Sequence, residues 1–150
     1  TMRRHGLIDV FPQTNHSMSV AAGIIRGLHY QAPPAAEAKL FRCVRGRVFD
    51  VIVDVRAGSA TFLRWFGVEL TEGDFNVVYV PPGCAHGYQA LTDGSEVLYQ
   101  SSAEYAPSLE GRVRYDDPRV GIRWPNARAI LSPKDAATPP LAADFAGVSL

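Results

Sequence analysis

The sequence predicts an all-β fold, either a sandwich or a barrel, and three observations support this. The clearest strand candidate, residues 48–55, consists mainly of β-branched and aromatic residues, which favour strands. Further strand candidates follow at intervals of about eight to twelve residues. Turn-forming residues lie between them, as at Thr92-Asp93-Gly94. Short strands at regular spacing are typical of sandwiches and barrels.

The strand candidates can be placed in order along the chain. Residues 7–11 form the first, which Pro12 ends because proline has no amide hydrogen to donate within a sheet. Residues 13–17 are polar, and we expect an extended segment that faces a binding site. The remaining predicted strands span residues 39–45, 48–55, 62–70, 76–80, 87–91 and 97–101.

The chain after Pro107 is predicted to be irregular, with turns at Pro118 and Pro125. Ser132 followed by Pro133 predicts the start of a short helix, because serine is favoured at the N-cap and proline at the first helical position. No internal repeat or linker divides the chain. We therefore predict a single domain over residues 1–150.

Composition excludes several classes of function. The 15 basic and 15 acidic residues balance, which argues against nucleic acid or a membrane surface as a partner. An apolar content of 47% is typical of a globular protein rather than a disordered one. The two cysteines are too few for a disulfide framework, and no apolar run approaches the roughly 20 residues of a transmembrane helix. We expect a cytoplasmic protein.

The hexapeptide RGLHYQ, residues 26–31, is the first candidate for a functional motif. Histidine titrates near neutral pH, so His29 can accept a proton when a carboxylate supports it. A single histidine in a strand is more often a core residue that one hydrogen bond satisfies. The cations Lys39 and Arg42 follow closely, and together with motifs farther along the chain they favour the functional interpretation.

The order of His29, Gln31, Glu37 and His86 matches the two sequence motifs of cupins, which are jelly-roll proteins. Metal-binding cupins have a second histidine where this chain has Gln31. An amide oxygen is a poor substitute for imidazole at a transition metal, so the remaining ligands would form a weak site. We predict a cupin jelly roll with a short irregular or helical C-terminal segment, without a metal or another cofactor.

Several short motifs, each weak alone, form a specific series by their order and spacing. They are QTNHS (13–17), RGLHYQ (26–31), KLFR (39–42), VFDV (48–51), PPGCAHG (81–87), LY (98–99), YAP (105–107), WP (124–125) and SPKD (132–135). From about residue 13 to residue 135, this series resembles the dTDP-4-dehydrorhamnose 3,5-epimerases. Members of that family are cupins that work without a metal.

The resemblance implies roles for individual residues. His29 would be the general base, and Asp135 the carboxylate that orients it. Tyr99 would be the general acid on the other face of the sugar, and Lys39 would stabilise an enolate. Tyr105 would stack on the thymine. The other residues that would line the sugar-nucleotide site are Gln13, Asn15, Arg26, His86, Glu110 and Lys134.

The chemistry explains why these residue types are needed. A proton beside a ketone becomes acidic only if the developing oxyanion is stabilised, and a fixed cation such as Lys39 can do this. Inverting a carbon requires removal of a proton from one face and delivery to the opposite face. His29 and Tyr99 on opposite walls would perform the two steps. A tyrosine with a pKa of about 10 is protonated at neutral pH and can donate.

The chain departs from the family pattern in two places. Family members commonly have an Asp-x-Arg-Gly segment toward the N-terminus that reaches the nucleotide, often across a dimer, and these 150 residues do not contain it. Gln100 follows Tyr99 where the family commonly has lysine. We expect intact proton-transfer residues, while the nucleotide preference stays open.

The sequence thus predicts an isomerase that acts as a homodimer on a dTDP-linked keto-deoxysugar. The expected reaction is epimerisation of dTDP-4-dehydro-6-deoxy-D-glucose at C3 and C5. Epimerisation at one of these carbons and ketoisomerisation of a sugar nucleotide are alternatives within the same class. A metal-dependent cupin enzyme and a non-catalytic sugar-binding cupin are alternatives from other classes.

Overall fold

The computed structural model describes residues 2–150 and is dominated by strands. Within this range the strands are β1 (Gln13–Ser19), β2 (Ile24–Gln31), β3 (Lys39–Arg45), β4 (Arg47–Asp54), β5 (Trp65–Thr71), β6 (Val78–Val80), β7 (Cys84–Ala90), β8 (Ser95–Ser101), β9 (Glu110–Arg112) and β10 (Ile130–Leu131). In the same range, two 3₁₀ helices span Met2–His5 and Pro107–Leu109, and one α-helix, α1, spans Pro133–Ala136.

The strands form two sheets. The smaller has the order β1-β8-β3-β6, and the larger has the order β10-β2-β7-β4-β5, with β9 also paired to β2. Neighbouring strands are antiparallel, except that β10 runs parallel to β2. This arrangement confirms the predicted all-β cupin-like sandwich.

Both faces of the larger sheet are covered. One face packs against the smaller sheet, where Val48 and Tyr88 join Phe41 and Val97 in a buried cluster. On the other face, Leu28, Val51 and Ala85 pack with residues of the irregular C-terminal segment. The C-terminal contributors are Val113, Val120, Ile122, Trp124, Leu141, Phe145 and Val148. All seven residues of β7 are buried because this strand lies between two covered faces.

Most predicted strands are confirmed, with boundary shifts, but the predicted strand over residues 7–11 is wrong. The amide of Ile8 donates to the Tyr79 hydroxyl rather than to a neighbouring strand, and Val10 is 62% exposed. A short apolar run therefore did not suffice to make a strand. The strands β9 and β10 lie where the sequence predicted irregular structure, because they are only three and two residues long and depend on pairing with β2.

The predicted short helix is confirmed as α1. Ser132 is its N-cap and accepts a hydrogen bond from the amide of Asp135, and Pro133 occupies the first turn. This cap presents Lys134 and Asp135 beside β2. None of the helices within residues 2–150 is long and apolar enough to cross a bilayer.

Candidate active site

Two adjoining cavities, of about 250 and 290 Å³, contain every residue that the sequence singled out for the site. His29, Lys39 and Tyr99 line both cavities and so lie where the two meet. The other predicted residues of the first cavity are Arg26, His86, Lys134 and Asp135, and those of the second are Gln13, Asn15, Tyr105 and Glu110. The structure therefore brings these side chains together, while their individual roles stay predictions.

The site has two walls because it lies between the sheets. His29 is on β2 of the larger sheet, whereas Lys39 and Tyr99 are on β3 and β8 of the smaller one. Tyr99 is paired in register with Phe41, and the two rings stack with centroids 6.2 Å apart. Alternate residues of a strand face the same side, so Lys39 and Phe41 both face the larger sheet. A ligand in the cavity would contact different chemical groups on opposite sides.

The imidazole of His29 pairs with the carboxylate of Asp135. Its Nε2 lies 2.7 Å from Oδ1 of Asp135, which is 6% exposed. The hydroxyl of Ser132 donates to the other carboxylate oxygen at 2.9 Å. Burial raises the pKa of the Asp135 carboxyl, but hydrogen bonds from His29 and Ser132 outweigh it and hold that pKa below its usual value. An ionised Asp135 accepts the Nε2 hydrogen, which leaves Nδ1 of His29 as the proton acceptor.

Lys39 provides a cation where the two cavities meet. Its Nζ lies 3.1 Å from Oε1 of Glu37, and both side chains are largely buried. Glu37 is the carboxylate that a metal-binding cupin would use, and here it pairs with the lysine. Within residues 2–150, no group of three or more His, Cys, Asp or Glu side chains is arranged to hold a metal ion. The site thus offers a fixed ammonium group for a developing negative charge.

The surroundings of Tyr99 favour the protonated phenol. Burial raises the pKa of its phenol, and the nearby Tyr88 and Glu37 raise it further. The hydroxyl therefore keeps its proton at neutral pH. It faces the same space as His29 from the opposite sheet.

A polar cluster surrounds Tyr105 at the second cavity. The ring is half exposed, and its hydroxyl donates to Oε2 of Glu110 at 2.8 Å. Lys134 approaches both groups, with its Nζ 3.0 Å from Glu110 and 3.2 Å from the tyrosine hydroxyl. The amide of Tyr105 donates to Oε1 of Gln13 at 2.9 Å. An aromatic face beside a lysine is suited to a ligand with a flat ring and a negative charge.

Comparison with known proteins identifies the family. The family model of dTDP-4-dehydrorhamnose 3,5-epimerase matches residues 1–143. The chain belongs to this family. A curated dTDP-4-dehydrorhamnose 3,5-epimerase from Mycobacterium tuberculosis (strain ATCC 25618 / H37Rv) is 47% identical over 130 residues, which cover 85% of this chain and 64% of the relative.

Solved structures of epimerases superpose closely on this chain. The crystal structure of dTDP-6-deoxy-D-glucose-3,5-epimerase from Legionella pneumophila, in complex with dTDP-4-keto-L-rhamnose, has a TM-score of 0.89 at 37% identity, covering 99% of this chain and 80% of that one. A 3'-monoepimerase from Streptomyces bikiniensis, in complex with dTDP-quinovose, has a TM-score of 0.82 at 39% identity, covering 87% and 66%. The chain spans 64% to 72% of the length of the first curated relatives that it matches.

Asp50 and Arg112, which contact residues of the cavity lining, were missed from the sequence. Asp50 lies behind His86, with its Oδ1 2.7 Å from Nε2 of the imidazole, and both side chains are buried. A carboxylate in the middle of the apolar strand β4 was the available signal, since a buried charge needs a partner. Arg112 pairs with Glu110 through two of its nitrogens. Their spacing of two on β9 places them on one face, but so short a strand gave no sequence signal.

Proposed function

We propose that the protein epimerises a dTDP-linked 4-keto-6-deoxyhexose at C3 and C5 through an enolate. The observation that carries this proposal is the pairing of His29 with Asp135 on one wall, opposite Lys39 and Tyr99 on the other. A base, a cation and a protonated acid around one cavity match the needs of a reaction beside a carbonyl.

The reaction divides into two proton transfers. Nδ1 of His29 takes the proton from the carbon beside the ketone, and the C–H electron pair moves to form the enolate. Asp135 stabilises the resulting imidazolium, and Lys39 stabilises the negative oxygen. When the carbonyl reforms, the carbon takes the phenol proton of Tyr99 on the opposite face. The configuration is then inverted, and solvent restores the protonation of both residues.

The second cavity is the proposed nucleotide site. Tyr105 would stack on the thymine there, while Lys134 and Arg26, which line the adjoining first cavity, would provide positive charge for the rest of the ligand. The Legionella pneumophila and Streptomyces bikiniensis relatives hold dTDP-linked sugars, which supports a ligand of this class. Gln13, Asn15, His86 and Glu110 complete the proposed lining of the sugar-nucleotide site.

Proton NMR of dTDP-4-keto-6-deoxy-glucose with the protein in D₂O tests the proposed reaction. We expect deuterium to enter at C3 and C5, together with signals of the inverted sugar. A carbonyl that moves along the ring would indicate ketoisomerisation. Binding without any exchange would indicate a sugar-binding protein, and turnover that a chelator abolishes and one divalent metal restores would indicate a metal-dependent enzyme. Each of the last three results would contradict the proposal.

Epimerisation at a single carbon is the second candidate. It is favoured by the similarity to the 3'-monoepimerase, whose fold coincides with this one at a TM-score of 0.82. The same NMR experiment separates the two candidates, since a monoepimerase would invert only one of the two carbons. Inversion at both carbons would exclude it.

A homodimer is the assembly that we propose. The outer face of the smaller sheet exposes apolar side chains that a second copy would cover, among them Met18, Phe75 and Val77, which are 51%, 74% and 52% exposed. Phe75 reaches this face through its contact with Arg42, whose guanidinium lies 5.9 Å from the ring centroid. Burial against a second copy would remove these apolar side chains from water.

Sedimentation analysis tests this face. Phe75→Asp should shift the protein toward monomer, because an interface that buries aromatic rings does not tolerate an unpaired carboxylate. Phe66→Asp is a matched control, since Phe66 is 59% exposed on β5, at the edge of the larger sheet. A monomeric wild type, or an unchanged dimer in Phe75→Asp, would contradict the proposal.

A further inference from the structure

Gln31 makes three hydrogen bonds that neither its place in the cupin motif nor the proton transfers explain. Its side chain is only 3% exposed, at the C-terminal end of the strand that carries His29. Nε2 donates to the carbonyl oxygens of Ala35 and Glu104, each at 3.2 Å, and Oε1 accepts from the amide of Ala106 at 2.5 Å. Every bond goes to backbone, and two of them go to one short segment.

That segment, residues 104–106, has Tyr105 at its centre and no regular secondary structure. A backbone outside helices and sheets depends on side chains or water for its hydrogen bonds. Here Gln31 binds the residues on both sides of Tyr105, while the amide of Tyr105 itself donates to Gln13. The backbone on both sides of the aromatic ring is thus held by the side-chain amide of a buried glutamine on β2.

We propose that Gln31 is a positioning residue that holds Tyr105 ready to stack on the nucleobase of the substrate. The proposal rests on the proposed function, because Tyr105 needs a base to stack on. Without the hydrogen bonds to Gln31, residues 104–106 would have to become ordered when the ligand binds. That loss of conformational freedom weakens binding. Gln31 therefore acts on nucleotide affinity, although it lies two residues from the proposed base, His29.

A purely structural role is the competing explanation, and Gln89 provides a matched control for it. Gln89 is fully buried on β7 and binds loop backbone in the same pattern. Its Nε2 donates to the carbonyls of Asn126 and Arg128, at 2.8 and 3.2 Å, and its Oε1 accepts from the amide of Asn126 at 3.0 Å. Gln89 lines neither cavity, so its loss tests what breaking such a set of bonds does by itself.

The experiment compares Gln31→Met with Gln89→Met in the full chain. Methionine keeps the length and flexibility of glutamine but removes the three hydrogen bonds. Both variants should melt at a lower temperature than the wild type. Calorimetric titration with dTDP should give a Kd about tenfold higher for Gln31→Met and within about twofold of wild type for Gln89→Met. With the keto sugar nucleotide, Gln31→Met should raise KM far more than it lowers kcat.

A double-mutant cycle identifies Tyr105 as the residue through which Gln31 acts. In a Tyr105→Ala background, Gln31→Met should change the dTDP Kd by less than about twofold, because the ring that it positions is gone. Hydrogen exchange provides a readout without a ligand. The amides of residues 104–106 should exchange faster in Gln31→Met and at the wild-type rate in Gln89→Met.

The outcomes separate this inference from the proposed function. An unchanged dTDP Kd in Gln31→Met, equal Kd increases in the two variants, or a full effect of Gln31→Met in the Tyr105→Ala background would each overturn the positioning role. A wild-type protein that binds dTDP but leaves the keto sugar unchanged would overturn the epimerase proposal and leave the positioning of Tyr105 supported. Unchanged exchange at residues 104–106 in Gln31→Met would overturn the positioning role by itself.

Discussion

The two histidine–aspartate pairs of the site have the same bond length but different surroundings. Nε2 lies 2.7 Å from a carboxylate oxygen in both His29–Asp135 and His86–Asp50. The side chain of His29 is 32% exposed, whereas that of His86 is 7% exposed and packs edge-on against Phe41, with centroids 4.8 Å apart. Proton transfer requires the base to reach the ligand. His29, the more exposed of the two histidines, is therefore the better candidate for the base.

The carboxylates of the two pairs also differ. Asp135 receives hydrogen bonds on both oxygens, from His29 and from Ser132. Asp50 is 1% exposed, and within the described chain its Oδ2 has no hydrogen-bond partner. A short capped helix can hold a fully bonded carboxylate at the cavity, whereas a central strand holds one deep in the sheet. The same residue types can therefore serve a reaction in one place and hold a side chain in the other.

Replacing the two histidines should give the largest difference between the two pairs. His29→Ala should abolish deuterium exchange into the sugar and lower turnover by about 10⁴-fold, because it removes the base. His86→Ala should lower turnover by no more than about tenfold and mainly raise KM, because it removes a wall of the sugar site. NMR time courses in D₂O measure both. Full exchange in His29→Ala, or equal losses in the two variants, would show that exposure does not distinguish the pairs.

Tyr99→Phe separates proton removal from proton return. The change deletes the hydroxyl and keeps the ring, so His29 and Lys39 should still form the enolate. Reprotonation by His29 would then return the original configuration. We expect deuterium to enter the unepimerised substrate while product formation falls about 10²- to 10⁴-fold. NMR can follow both signals in one tube.

Tyr79→Phe is the matched control for Tyr99→Phe. It removes a hydroxyl from the outer face of the same sheet, where the oxygen accepts a hydrogen bond from the amide of Ile8. It should leave turnover unchanged. Epimerisation at the wild-type rate in Tyr99→Phe would show that Tyr99 only lines the cavity. The proposed mechanism would then lack its general acid.

Replacing the two carboxylates should give a smaller difference between the pairs. Asp135→Asn keeps the shape but removes the charge that stabilises the imidazolium, and turnover should fall by about 10²-fold or more. Asp50→Asn should lower turnover by less than about tenfold and lower stability by about 1–3 kcal/mol, because it disturbs a buried hydrogen bond. Turnover and chemical denaturation of the same preparations measure the two effects. If Asp50→Asn lowered turnover more than Asp135→Asn, the result would assign proton transfer to the buried pair His86–Asp50.

The smallest expected effect is on the pH dependence of stability. The pKa of Asp135 is held below its usual value in the folded protein. Such a carboxyl stabilises the fold at a pH above its unfolded pKa of about 4, and this stabilisation is lost as pH falls through the lower folded pKa. Asp135→Asn should therefore lose less stability on acidification than the wild type does. Denaturation midpoints between about pH 5 and pH 2 measure this, and parallel curves would contradict it.

Local patterns predicted much of the fold and failed where pairing decided the outcome. The β-branched run of β4 and the cap of Ser132 and Pro133 were correctly interpreted, because strand propensity and helix capping depend on neighbouring residues. Residues 7–11 have a similar apolar character, yet the structure gives them no place in a sheet. The strands β9 and β10 exist only through their pairing with β2, which no local pattern records.

The sequence by itself determined the all-β class and the residue types available for proton transfer, because both follow from short stretches of neighbouring residues. It indicated the partner of His29 only through family resemblance, since 106 residues separate that histidine from Asp135. The tertiary structure decided which carboxylate lies behind which histidine, and that Gln31 holds the segment of Tyr105. Such contacts depend on the register and packing of strands distant in the chain, and local chemistry does not specify them.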